Sequence, residues 1–373
     1  MIQPEGAQVC RVEILRLRIP LIRPFITSLG PCLEADNVVV LVHTRDGLIG
    51  QGECSPFLTI NGETAETALI VGRLLATVLL GQDAQDIEGA HERMDRAIFG
   101  NSSIKSAFDI ALHDIAAQHA DLPLWKMLGG KSRSDLVTDY TVSIGEPERM
   151  AEDAAEIQRR GFPVIKVKLG GDGDLDISRI RAIRASVPSI PLRIDANQGW
   201  DPATAIRVLN ALAPFGIQHC EEPIPRWRFM ELRRVKESSP IPIMADECCC
   251  DHHDAERLIS LGACQRFNVK LGKSAGLFKA RKILALADAA GIEVQVGGFL
   301  ESRLAWTAAA ALALSSPVVK YCDMDTPLMF TSDPVKGGIA YGPNGTITVP
   351  NGPGLGAWID PAHVADRSVV VVG

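Results

Sequence analysis

A parallel α/β barrel joined to an accessory α+β domain is the fold this sequence predicts, on three observations. The chain has 373 residues and a mass of 40.1 kDa, more than one ordinary core encloses. From residue 138 onward, a short apolar strand, a polar turn and an amphipathic helix recur. Six of the strands end on a charged residue, and the strand ends from Lys168 to Asp323 lie 24 to 27 residues apart. That interval fits one strand, one helix and two short loops, and eight such strands fit a closed barrel.

The elements follow in chain order. Residues 9–17 and 37–43 read as two strands, and Asp46-Gly47 supplies a hairpin turn. A loop is expected from Gly50-Gln51-Gly52-Glu53 through Pro56 to Gly62, followed by helices over 64–80 and 104–119. Gly129-Gly130 breaks the pattern. Residues 1–130 are therefore read as the N-terminal α+β domain and 131–330 as the barrel. Barrel strands are predicted at 138–144, 164–168, 192–195, 217–221, 243–246, 267–270, 293–297 and 319–323. Residues 331–373, rich in Gly and Pro with short strands, are expected to return to the N-terminal domain.

Composition narrows the function. Hydrophobic residues at 46% and charged residues at 22% describe a globular protein. Thirty-eight Lys plus Arg against 45 Asp plus Glu, net −7, provide no basic field, so no nucleic-acid partner is expected. The longest apolar stretch, 306–314, is too short for a membrane span, and residues 1–6 show no secretory pattern. Nine cysteines, an odd number with three consecutive at Cys248-Cys249-Cys250, argue for a reducing compartment. A cytoplasmic enzyme with a small-molecule substrate and no membrane partner is the expectation.

The chemistry is read from the strand ends. In such a barrel all the C-terminal strand ends face one mouth. Lys166 and Lys168 are two apart on one strand and share a face. Asp195, Glu221 and Asp246 end three successive strands and stand side by side, a donor set that suits Mg²⁺, with Mn²⁺ as the alternative. Lys270 follows on the next strand, across the mouth. The order base, metal, base suits removal of a proton α to a carboxylate, since a cation and an ammonium hold the dianionic enediolate. Three other motifs compete. Gly272-Lys273-Ser274-Ala275-Gly276 matches a serine-hydrolase elbow, with Ser274 as nucleophile and Asp323 or Asp325 and His363 following in order. That reading leaves the strand-end charges without a role. Cys248 to His253 lacks the paired spacing of a zinc site. Asp172, Asp174 and Asp176 imitate a calcium loop but meet Ile177 and Ile183 where glycine and glutamate are required.

Lys166-Val167-Lys168, Asp195-Ala196-Asn197, Glu221-Glu222-Pro223, Ala245-Asp246-Glu247 and Asn268-Val269-Lys270 resemble the signature of the enolase superfamily, muconate-lactonizing subgroup. The resemblance covers nearly the whole chain. It implies a (β/α)7β, TIM-like barrel under an α+β capping domain built from both termini. It implies Mg²⁺ on Asp195, Glu221 and Asp246, Lys168 and Lys270 as the acid/base pair, and Lys166 on the substrate carboxylate. Asp323-Met324-Asp325, followed by Pro327-Leu328-Met329, resembles the dipeptide-epimerase version of the last strand, where paired carboxylates bind an ammonium. The segments around Thr141 and Phe299 are similar to the same enzymes and imply that both residues touch substrate. The implied reaction inverts the α-carbon of the C-terminal residue of an L,L-dipeptide by 1,1-proton transfer, in a homo-oligomer. N-acylamino-acid racemases, hydroxylated amino-acid dehydratases and muconate cycloisomerases are the alternatives within the superfamily. The capping loops at 27–32 and 57–63 carry no basic residue, and Gly30 stands where alanyl-glutamate epimerases tend to carry arginine. A small, polar or apolar second side chain is expected.

Overall fold

The computed structural model describes residues 5–131, 136–364 and 369–373. The chain begins with β1 (Val9–Thr27), β2 (Gly30–Thr44) and β3 (Ile49–Cys54), then α1 (Ala65–Leu79), α2 (Ile87–Ala97), α3 (Ser102–His119) and the short α4 (Leu124–Met127). The three strands form an antiparallel sheet. The segment beginning at Gly50 is thus a strand and not the expected loop. Its glycines have a packing cause: a Cβ at Gly50 or Gly52 would stand 2.0 or 1.9 Å from the carbonyl oxygens of Ala111 and Ala107. Only glycine lets β3 approach α3 this closely. Helix α2, which the sequence reading passed over, buries only Ala90, His91 and Met94.

The barrel is β5 (Tyr140–Val142), β6 (Ile165–Lys168), β7 (Leu192–Asp195), β8 (Ile217–Glu221), β9 (Ile243–Ala245), β10 (Arg266–Lys270), β11 (Glu293–Gly297) and β12 (Val319–Cys322), preceded by β4 (Leu136–Val137). Between the strands lie α5 (Pro147–Arg159), α6 (Gly173–Ser186), α7 (Pro202–Leu212), α8 (Phe229–Ser238), α9 (His252–Leu261), α10 (Leu277–Ala290) and α11 (Arg303–Leu314). The eight strands pair in sequence order and in parallel, and a parallel bridge between Thr138 and Cys322 joins the first strand to the last. Seven helices between eight strands is a (β/α)7β barrel. Its strands are apolar toward the helices and alternate, as in Ile165-Lys166-Val167-Lys168, with polar residues toward the interior.

The remaining strands are β13 (Val335–Gly337), β14 (Ala340–Tyr341), β15 (Thr346–Thr348), β16 (Ala357–Ile359) and β17 (Val369–Val372). β13 pairs with β16 beside α11, and β14 and β15 extend β4. β17 joins the edge of the N-terminal sheet at β1. The tail therefore packs first on the barrel and ends in the N-terminal sheet.

Two buried carboxylates join the N-terminal domain to the barrel. Asp109 on α3 accepts hydrogen bonds from the backbone N–H groups of Leu277 and Phe278, the first turn of α10, and contacts His91 and His113. Glu53 on β3 accepts from the Ser302 N–H and hydroxyl and from the Ala305 N–H, at the start of α11. Each satisfies the unpaired donors of a helix N-terminus from another domain. Other motifs prove structural in the same way. Asp172 caps α6, and Asp176 accepts from Gly170 N–H, Arg179 and Trp200.

Candidate active site

The β1–β2 hairpin reaches over the barrel mouth, and Ser28 at its tip donates to the carbonyl oxygens of Asn197 (2.7 Å) and Ala196 (3.1 Å). Beneath it lies a pocket. Phe25, Leu29, Phe57 and Ile60 line it from above, and Thr141, Lys166, Lys168, Lys270, Phe299, Asp323 and Asp325 from the barrel. Asp195, Glu221 and Asp246 lie fully buried against the three lysines as the floor of the mouth, with one oxygen from each within 4.8 Å of the others. The ten residues singled out from the sequence thus converge on one mouth.

The lysines divide this floor between them. Lys168 Nζ lies 2.6 Å from Asp195, at the end of β7, and Lys270 Nζ lies 2.7 Å from Asp246, just past β9. The two ammoniums therefore flank the carboxylate row on opposite sides. Lys166 lies between, donating to Glu221 (2.9 Å) and Asp323 (2.7 Å) and standing 3.1 Å from Asp195. Of the adjacent glutamates, Glu221 turns into the barrel. Glu222, at φ 34, turns out and accepts from the Asp246 N–H at 2.7 Å.

Burial and charge set the protonation states. Burial, then the neighbouring Asp195 charge, pushes Glu221 up to about 8. Burial also acts on Asp195 and Asp246, but Lys168 with Lys166, and Lys270 with Lys273, outweigh it and hold both carboxyls below the usual range. The floor thus ionises two acids readily and resists the third for want of another cation. Three convergent hard oxygen donors with that deficit fit a divalent cation that prefers oxygen.

A second acidic group stands at the seam between the first and last strands. Asp139, Asp323 and Asp325 each place an oxygen within 4.8 Å of the others. Burial and then the Asp323 charge push Asp325 up to about 7 and Asp139 well above its ordinary value. This group too is short of positive charge. The surplus of carboxylates over the one neighbouring ammonium, Lys166, suits a cationic group of the ligand.

Several contributors escaped the sequence reading. Lys273, grouped there with the hydrolase-like motif, is fully buried and donates to the Asp246 side chain and to the Asn268 carbonyl. Asn268 and Gln295 donate to Glu221 at 2.7 and 3.2 Å. Both are polar residues two positions before a strand end, hence on its interior face, which was the available signal. The competing motifs do not assemble sites. Ser274 is buried with an unpartnered hydroxyl, while His363 is exposed in the tail. Cys248 and Cys249 are buried thiols whose pKa values burial drives up. Among the described residues, the two carboxylate groups are the clusters that could hold a metal.

This barrel, mouth and covering hairpin define the enolase superfamily, and the chain belongs to it. Residues 149–363 match the enolase C-terminal domain-like family, and residues 10–129 match the mandelate racemase / muconate lactonizing enzyme N-terminal domain. The chain is 55% identical over 350 residues to D-Ala-D/L-Ala epimerase of Cytophaga hutchinsonii, covering 94% of this chain and 95% of the relative. It is 38% identical over 354 residues to L-Ala-D/L-Glu epimerase of Bacillus subtilis, covering 94% and 96%. A crystal structure of the Cytophaga hutchinsonii dipeptide epimerase complexed with Mg and D-Ala-L-Val superposes with a TM-score of 0.97, at 52% identity and over 98% of this chain and 100% of that one. No helix among the described residues is long and apolar enough to cross a membrane.

Proposed function

We propose that this protein is a Mg²⁺-dependent dipeptide epimerase that inverts the α-carbon of the C-terminal residue. The observation that carries the reading is the pair of lysines on opposite sides of the carboxylate floor, Lys168 on Asp195 and Lys270 on Asp246. Inversion by proton transfer needs one base on each face of the carbon. The relatives named as dipeptide epimerases and the Mg in the similar crystal structure support the same assignment.

Asp195, Glu221 and Asp246 would hold Mg²⁺, which when bound stabilises the charge that builds on the substrate carboxylate. Lys166, between floor and pocket, would hold that carboxylate and the enediolate oxygens. With one hand of the substrate, one lysine removes the α-proton while the other, across the plane, returns a proton to the opposite face. The roles exchange for the other hand. Asp323 and Asp325 would take the free ammonium, which favours a dipeptide over an N-acylamino acid. Thr141 supports Asp325 by donating its backbone N–H at 2.7 Å. Phe299 lies under Phe57 with ring centroids 5.4 Å apart and bounds the space for the second side chain. Phe25, Leu29, Phe57 and Ile60 add no charge there, so a small, uncharged second residue fits best. We further read the protein as cytoplasmic, on its nine free cysteines, and as a homo-oligomer, which light scattering tests.

The test is incubation in D₂O with Mg²⁺ and a pooled dipeptide library, read by mass spectrometry. First residues of both hands belong in it, because one relative is named for D-Ala and the other for L-Ala at that position. Uptake of one deuterium by dipeptides with small second residues is expected. Absence of uptake by every dipeptide, with N-acylamino acids exchanging instead, would overturn the reading.

A further inference from the structure

We infer that Trp306 sets the first position of the dipeptide, confining it to an alanine-sized side chain. The inference rests on the dipeptide reading and deepens it. With the free ammonium on Asp323 and Asp325, the side chain of the first residue starts two bonds from that same nitrogen. It must therefore lie beside the carboxylate pair, where Gly298, Trp306 and Thr326 line the pocket. Of these three, Trp306 has by far the largest side chain.

The indole is fixed at both ends. Its Nε1 donates to the Thr326 hydroxyl at 2.9 Å, one residue along from Asp325. Its six-membered ring lies on Gly298, where a Cβ would stand 2.6 Å from both Cη2 and Cζ2. Only glycine leaves the ring that place. Trp306 is buried at the start of α11, and a rotation away from the pocket would break its hydrogen bond inside the protein. The helix offers nothing to replace it, since Ala309 and Ala310, three and four positions on, are too small to fill the same space. Phe299 bounds a different place. Its ring centroid lies 5.0 Å from Lys270 Nζ, beside the carbon that reacts. Two rings thus limit the two substrate side chains separately, Phe299 the second and Trp306 the first.

The Mg²⁺-loaded enzyme tests this with Ala-Ala, Leu-Ala and Ala-Leu, each with first residues of both hands. Wild type should show a kcat/KM for Ala-Ala at least about tenfold above that for Leu-Ala. Trp306→Leu frees more room than leucine adds to alanine. It should raise the ratio of Leu-Ala to Ala-Ala by about tenfold or more, while the ratio of Ala-Leu to Ala-Ala stays within about twofold. A wild type that takes Leu-Ala as readily as Ala-Ala, an unchanged Leu-Ala ratio in the mutant, or an equal gain for Ala-Leu would overturn the inference. If Trp306→Leu does not fold, Trp306→Phe keeps an aromatic ring in the core and is read in the same way, with Val-Ala in place of Leu-Ala. Wild-type enzyme inert toward every dipeptide would instead sink the epimerase reading itself, so the two failures are distinct.

Discussion

The barrel mouth and the seam between the N-terminal domain and the barrel both bury carboxylates, and they use them in opposite ways. At the seam, Asp109 sits among donors: two N–H groups of α10 and the rings of His91 and His113. Burial would raise its carboxyl, but His113 and His91 hold it below the ordinary range. At the mouth, burial and repulsion from Asp195 push Glu221 up to about 8 although Lys166, Asn268 and Gln295 all donate to it. A carboxylate surrounded by donors stabilises the fold. Carboxylates crowded together destabilise it until a cation arrives, which is how a binding site differs from a joint.

Predictions that could break this contrast run from large to small. Lys168→Ala or Lys270→Ala should abolish epimerisation of both hands, a loss of at least about 10³-fold. Each single mutant should still exchange the α-proton of the one epimer facing the surviving lysine. Two fully active mutants would remove the opposed-base assignment. Glu221→Gln should eliminate activity and Mg²⁺ binding by calorimetry while leaving the metal-free melting temperature unchanged or higher, because it relieves repulsion at the floor. A large fall in that melting temperature would mean that the mouth stabilises the fold as the seam does.

Asp109→Asn should behave conversely. Loss of about 3 kcal/mol of stability is expected, since it leaves a buried histidine pair and a helix start without their acceptor, with turnover at 25 °C nearly intact. The sign of the pH effect follows from the depressed folded-state pKa. The Asp109 contribution is complete above its unfolded value near 3.9 and fades as pH falls toward the folded one. The mutant should therefore lose less stability than wild type on acidification below about pH 4, as denaturant titrations would show. The smallest effect is expected at Ser28→Ala. Removing the hairpin's hydroxyl from the Ala196 and Asn197 carbonyls should raise KM about fivefold and leave the melting temperature in place. An unchanged KM would indicate that the apolar contacts of Phe25 and Phe57 alone hold the hairpin down.

Local pattern along the chain was enough to place the barrel and most of its mouth. Strand length and strand interval are local, and a charged residue at a strand's C-terminal end has one place to go once the strands lie parallel. Lys168, Asp195, Glu221, Asp246 and Lys270 were legible for that reason. Polar residues whose role depends on what stands opposite were not. Asn268 and Gln295 reach Glu221 across the barrel interior, and Lys273 reaches back to Asp246 from a turn. Asp139 meets Asp323 and Asp325 only because closure between Thr138 and Cys322 puts the first strand against the last, across the 184 residues from Thr141 to Asp325. Gly50 and Gly52 read locally as loop residues, and only the helix lying on them made them strand. Spacing along a strand shows which way a side chain faces. What it meets there depends on barrel closure and helix packing, which residues distant in sequence supply together.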